Sequence, residues 1–450
     1  MEKKIWIKHP LAILADNAEN GIVIQGTKII ELVPRSKEPL CDVDETFDAS
    51  SHVLLPGLIN THHHFYQTLT RAYPTALNKE LFPWLVSLYS VWEHLDREMI
   101  DASTRLALCE LLLSGCTTAS DHHYVFSDRI EDAIDIQFEA AKELGMRVVL
   151  TRGSMSLGKN DGGLPPQSVV QDEQTILDDS IRLIRQYHDA SSGSMRQLAL
   201  APCSPFSVST DLMIESAKIA GEYDVCLHTH LAETIDEEKF CKQMFGMRTV
   251  DYLEHVGWLQ ERTWLAHGIH FNDEEIGRLG RANVGIAHCP TSNMMLASGI
   301  CRTLELEAAG AAVGLAVDGS ASNDGSNMIR EARMAMYLQR LRYGSSRITH
   351  QKALTWATQG SAALLRRDDI GEIAVGKEAD LALFTLDDIQ FSGAHDPLAA
   401  LLLCGATKAD RVMVAGQWKV VDGHLTDVDL DALIRHHKHQ AKRLFEAAQC

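Results

Sequence analysis

Through the middle of the chain, short runs of consecutive apolar residues alternate with longer stretches whose apolar positions recur every three or four residues. The short runs, at 146–150, 197–201, 225–230, 263–267, 284–288 and 313–318, read as strands buried on both faces. Such strands lose the in-out alternation of a half-exposed sheet, which is the pattern of a parallel one. The longer stretches, at 127–144, 172–187 and 210–223, carry the period of an amphipathic helix. Asn272 followed by Glu275 is a capping box that opens a further helix at 274–279. Strand–helix alternation implies parallel βα units. Roughly eight such units fit between Val53 and Leu365, so the predicted architecture is a distorted (β/α)8 barrel.

Both ends break this rhythm. Residues 1–52 hold short β-type runs at 5–7, 21–24 and 28–33, and residues 366–427 hold others at 381–384, 411–414 and 418–421. These halves are expected to pair into one small β-sandwich beside a barrel spanning 53–365, with 428–450 as a C-terminal helix. The run Arg435-His436-His437-Lys438-His439 on that helix reads as a solvated face. The breaker-rich segment 153–166 is either a lid over the barrel mouth or a passive surface loop.

Charge narrows the partner. The formal net charge of −19 argues against nucleic acid or an anionic membrane, and a small neutral molecule fits it better. The N-terminus lacks an apolar leader and no apolar run is long enough to span a bilayer, so the expected location is cytoplasmic. The ten cysteines, Cys450 among them, form no CxxC pair and read as reduced thiols; Cys109 and Cys116 flank a helical stretch.

Four separated pieces carry the chemistry: Thr61-His62-His63-His64, His230-Leu231-Ala232-Glu233, Ala266-His267-Gly268 and Val317-Asp318-Gly319. Each follows or ends a strand-like run, the first following Val53-Leu54-Leu55. In a (β/α)8 barrel chemistry sits at the C-terminal strand ends. His62 and His64, two apart on an extended segment, face the same way. Imidazole nitrogens and a carboxylate are what Zn²⁺ or Fe²⁺ accepts, so His62, His64, His230 and Asp318 are the expected metal ligands. Such an ion brings the pKa of a bound water towards about 7. Asp318 is placed to take that water's proton and His267 to orient it. Gln67 offers a donor and an acceptor to the edge of a ring. Arg152 ends a barrel strand, where it meets either a ring carbonyl or an ion-pair partner. Trp84, Trp92 and Tyr124 are candidates for a stacking wall; His63, His122 and His123 are left as structural, with Asp121 orienting one of them.

The string Pro56-Gly57-Leu58-Ile59-Asn60-Thr61-His62-His63-His64, with the later HxxE, lone His and strand-end Asp, resembles the amidohydrolase superfamily. The segment 370–381, Ile-Gly-Glu-Ile-Ala-Val-Gly-Lys-Glu-Ala-Asp-Leu, is similar to that family's return to its small β domain, and the resemblance covers nearly the whole chain. Strings at 62–71, 151–158, 201–206 and 318–324 are similar to the family's purine and pterin deaminase branch. The resemblance implies hydrolytic deamination of 8-oxoguanine to urate and ammonia, with isoxanthopterin, guanine or an aminotriazine as alternative rings. It further implies one divalent ion, Zn²⁺ or Fe²⁺, because the strand at 197–201 lacks the lysine that bridges two ions in binuclear members. Glu233 is implied to protonate a ring nitrogen, unless it simply opens the next helix. Cys203 stands where adenosine-type relatives often carry His, which points away from a ribose-bearing substrate. A homodimer is the family-level expectation. Ring-amide hydrolysis and a non-catalytic scaffold are the competing classes.

Overall fold

The structure, a computed structural model, describes residues 2–449; Met1 and Cys450, which end the first and last predicted segments, lie outside them. Eight parallel strands form a sheet hydrogen-bonded in chain order. They are β1 (Leu58–Asn60), β2 (Cys116–His123), β3 (Arg147–Ser154), β4 (Arg196–Pro202), β5 (Cys226–Leu231), β6 (Thr263–His267), β7 (Gly285–His288) and β8 (Val313–Leu315). The β8–β1 seam is bridged at the strand ends. Thr61 donates to the Leu315 carbonyl through its backbone N (3.2 Å) and Oγ1 (2.9 Å), and Asn60 Oδ1 accepts from Val317 N (3.0 Å). The nearly closed (β/α)8 barrel is the architecture the alternation predicted.

Two strands depart from the sequence reading. Val53–Leu55 is a buried strand, but as part of His52–Pro56 it pairs antiparallel with Leu381–Thr385 in a separate six-stranded sheet. The chain enters the barrel only after Pro56-Gly57, through the three-residue β1. β2 escaped detection because Cys-Thr-Thr-Ala-Ser-Asp-His-His is polar for a strand, although every residue in it is buried. Its Cys116 opens the strand rather than flanking the preceding helix, Arg97–Leu113.

The terminal segments build a four-stranded and a six-stranded sheet. Ile7, Ile22, Ile24 and Ile29 from one meet Leu54, Leu381, Leu383 and Met413 from the other in a single buried cluster, the expected sandwich. The last helix, Leu430–Ala447, lies against Arg97–Leu113. Arg435, His436, Lys438 and His439 are exposed on it, but His437 is buried, with its Nε2 3.0 Å from Thr68 Oγ1. No helix among the described residues is long and apolar enough to cross a membrane.

One layer of the barrel interior is centred on a single aromatic residue. Trp264 on β6 shares its cluster with Ala199, Ala287, Ala316, Ile59 and Val149. Its indole Nε1 donates to the Thr61 carbonyl at 3.0 Å and its ring stacks under His228 at 4.4 Å. Leu364 closes over Gly314, where an added Cβ would lie 2.2 Å from it. Trp264 is thus the floor beneath the histidines at the barrel mouth. Trp264→Ala should lower stability by about 3–5 kcal/mol, read as a reduced urea midpoint, because the neighbours cannot collapse into the space.

Candidate metal centre and catalytic pocket

The histidines at the strand ends have their protons assigned by their neighbours. His64 Nδ1 donates to the His122 carbonyl (2.7 Å) and His230 Nδ1 to the Cys203 carbonyl (2.7 Å). His228 Nδ1 donates to the Trp264 carbonyl (3.0 Å), which leaves its Nε2 as an acceptor for His62 Nδ1 (2.7 Å). Every one of these bonds leaves a bare Nε2 on His62, His64 and His230. The bare atoms converge: His64 and His230 Nε2 are 3.2 Å apart, and Asp318 Oδ1 is 3.3 Å from Nε2 of both His62 and His64. Four lone-pair donors packed this closely repel one another unless a cation lies between them. Spacings of about 3.3 Å are those of four donors around an ion at about 2.0–2.1 Å. Burial holds all three imidazoles below their usual pKa, hence neutral and ready to ligate. The residues present suit a divalent metal ion. His122 lies within the same cluster, but its Nε2 is committed to the Ala201 carbonyl at 2.9 Å.

Beside this centre stand two acids in contrasting states. Burial disfavours charge on Asp318, but the facing imidazoles of His62, His267 and His64 hold it well below the carboxylate range. Its Oδ2 accepts from Ser292 Oγ at 2.6 Å and lies 3.9 Å from His267 Nε2. Burial pushes Glu233 up, and nearby Asp318 adds to that shift. Glu233 Oε2 lies 3.4 Å from His267 Nε2, and its Oε1 accepts from Ser298 Oγ at 3.1 Å. Burial opposes charge on His267, yet Glu233 and Asp318 outweigh it and raise its pKa. Ala232, His267 and Asp318 all adopt left-handed backbone (φ 54°, 72° and 63°), a strained state for non-glycine residues that concentrates at functional sites. At Ala232 it turns Glu233 back over the metal donors, as the HxxE spacing suggested.

A cleft lined by His64, Gln67, Cys203, His230, Glu233, His267 and Asp318 brings eight of the nine expected site residues together, with His62 just beneath. Gln67 Oε1 accepts from Ala321 N at 3.3 Å and packs onto Gly319, where any Cβ would overlap it at 1.8 Å. Burial pushes the Cys203 thiol up to about 12, so it stays protonated. Arg152 is the exception and does not line the cleft. Its guanidinium is bound to Asp179 (2.6 Å) and Gln171 (3.0 Å) and stacks on Phe126, which is the ion-pair alternative. Trp84 and Tyr124 line the cleft, whereas Trp92 donates to Thr70 Oγ1 at 3.2 Å elsewhere. Asp121 orients no histidine; it accepts from Phe65 N at 2.6 Å and so anchors the backbone after His64. The segment 153–166 is not the roof. Its Ser156, Leu157 and Leu164 amides bond to Ser207 and Phe206, and the helix Leu81–Trp92 covers the cleft instead. A larger cleft, between barrel and sandwich near Lys28, Lys142 and Arg196, holds none of these converging donors.

A model of the amidohydrolase family matches residues 53–419. The chain belongs to the amidohydrolase family. Among its relatives, an 8-oxoguanine deaminase of Pseudomonas aeruginosa is 62% identical over 444 residues, covering 98% of this chain and 99% of that one. An isoxanthopterin deaminase from an unknown prokaryotic organism is 33% identical, covering 89% and 86%. A solved atrazine chlorohydrolase from Arthrobacter aurescens TC1, complexed with zinc, superposes with a TM-score of 0.90 at 30% identity, covering 97% of this chain and 100% of that one.

This amidohydrolase also uses residues that the sequence reading missed. His228 was legible in principle, because His228-Thr229-His230 repeats the two-residue spacing of His62 and His64. Asn293 Oδ1 accepts from His267 Nδ1 at 2.9 Å and so sets that ring's tautomer. Glu237, which burial pushes up to about 7, accepts from both Ala232 N and Glu233 N at 2.9 Å and holds the turn in place. Nothing but their positions beyond strand ends marked Asn293 and Ser292. His228→Leu removes the acceptor that directs His62 and should weaken metal affinity about 10–100-fold, read by chelator competition, with the fold intact.

Proposed function

We propose that this protein hydrolyses 8-oxoguanine to urate and ammonia at a single zinc ion. The observation that carries this reading is the 62% identity, over 98% of the chain, to the Pseudomonas aeruginosa 8-oxoguanine deaminase. Supporting it are the deaminase-type pairing of an ionised Asp318 with a protonatable Glu233, and the zinc in the atrazine chlorohydrolase structure. His62, His64, His230 and Asp318 would hold the ion, which lowers the pKa of a bound water towards about 7.

The side chains divide the proton work. Asp318 Oδ2 takes a proton from the attacking water; Ser292 fixes the carboxylate so that this oxygen faces His267. His267, held by Asn293, points Nε2 at both acids and stabilises the charge that develops between them. Glu233 delivers a proton to the ring nitrogen next to the amine-bearing carbon, and its raised pKa suits a general acid near neutrality. Water oxygen thus bonds to that carbon, Asp318 passes the water's proton to the amine, and the C–N bond breaks to release ammonia; the remaining hydroxyl proton returns to Glu233 as the carbonyl forms, which restores both carboxyls. Gln67 holds the ring edge, with Trp84 and Tyr124 along its faces.

Ammonia release should be measured on 8-oxoguanine, guanine, isoxanthopterin, adenine and a hydroxy-aminotriazine. The expected result is a kcat/KM for 8-oxoguanine at least about tenfold above the rest, or about 1.4 kcal/mol. Preference for another ring would retain the deaminase chemistry and overturn the substrate. Glu233→Gln should bind metal normally and lose about 10²–10⁴ in kcat; unchanged turnover would remove Glu233 from the mechanism. Stripping the metal with a chelator should abolish turnover and lower the Tm, both restored by Zn²⁺.

A further inference from the structure

The Tyr89 hydroxyl in the cleft has no role in the chemistry above. The helix Leu81–Trp92 presents Leu81, Trp84, Leu85 and Tyr89 to the cleft, the i, i+4 and i+8 positions of one face with Trp84 beside them. Three of these are apolar in character and Tyr89 alone ends in a hydroxyl. That hydroxyl is buried, the residue being 1% exposed, and has no hydrogen-bond partner. A buried phenol without a partner is costly, and native structures leave few of them. Among the described residues, Tyr89 makes no ring contact with a metal-donor histidine. Tyr124 has ring contacts with His64 at 5.1 Å and His230 at 6.1 Å, whereas the ring beside Tyr89 is Trp92 at 6.0 Å.

The proposal rests on the 8-oxoguanine reading. In that molecule the amine on C2 and the oxygen on C8 lie at opposite ends of the bicycle. With the amine held between Asp318 and Glu233, the C8 oxygen lies at the end of the ring away from those acids, and Leu81, Trp84, Leu85 and Tyr89 line the same cleft. We propose that the Tyr89 hydroxyl donates a hydrogen bond to that oxygen and so separates 8-oxoguanine from guanine, which has only C–H at C8. A site built to pair a polar group discriminates strongly against the analogue that lacks it.

The test compares the zinc-loaded native protein with Tyr89→Phe. Two quantities are read: kcat/KM for 8-oxoguanine and guanine, and inhibition by their deaminated counterparts, urate and xanthine. The expected outcome is at least a tenfold fall in kcat/KM for 8-oxoguanine and a matching rise in the urate inhibition constant. Guanine turnover and xanthine inhibition should stay within about threefold, which also shows the pocket to be intact. Equal losses for both members of a pair, or no change in either, would overturn the role of Tyr89. If the native protein fails to turn over 8-oxoguanine at all, the substrate reading falls and this proposal falls with it, before any variant is compared.

Discussion

Four lone pairs that would repel one another hold the centre of this molecule together only because the fold leaves them no alternative. The Nε2 atoms of His62, His64 and His230 meet Asp318 Oδ1 because each Nδ1 proton is already taken. The acceptors that take those protons are backbone carbonyls or a relay to one: His122 on β2, Cys203 after β4, and Trp264 on β6 through His228. The histidine ligands are therefore oriented by carbonyls on or just beyond β2, β4 and β6, with His228 of β5 relaying for His62. The barrel wall and the coordination geometry are one structure. A ligand set arranged this way is fixed before the ion arrives, so little reorganisation accompanies binding.

Burial pushes both neighbouring carboxyls up, and what each one faces decides the outcome. Asp318 faces three imidazoles and is held ionised; at Glu233, burial and the nearby Asp318 outweigh His267 and Ser298 and push it up. At Glu237 burial outweighs two amides and pushes it up to about 7. Environments that drive acids apart within one site separate the base from the acid without any difference in residue chemistry.

What the sequence disclosed follows from which features are local. The long apolar strands, the capping box at Asn272 and the HxxE turn are written in adjacent residues, and the structure returns them nearly unshifted. β2 was hidden because its side chains are polar yet buried, and Asp121, for one, meets Phe65 N and Gln137 inside the protein. The placement of Arg152 turned on Asp179 and Gln171, which a one-dimensional pattern does not bring near it. Asn293 and Ser298 act on His267 and Glu233 across loops, so only the folded chain reveals them.

The strand His52–Pro56 carries a consequence for the order of events during synthesis. It leads into β1 and the first two histidines, and it pairs with Ala12–Ile13 on one side and with Leu381–Thr385, near the other end of the chain, on the other. The ligands themselves emerge in the order His62, His64, His230, Asp318. A chain still on the ribosome can therefore display the histidines without the carboxylate, while the entry to β1 has only its Ala12–Ile13 neighbour. Pairings as distant as that with Leu381–Thr385 close slowly. A chain truncated before Asp318 is left with imidazoles but no finished centre.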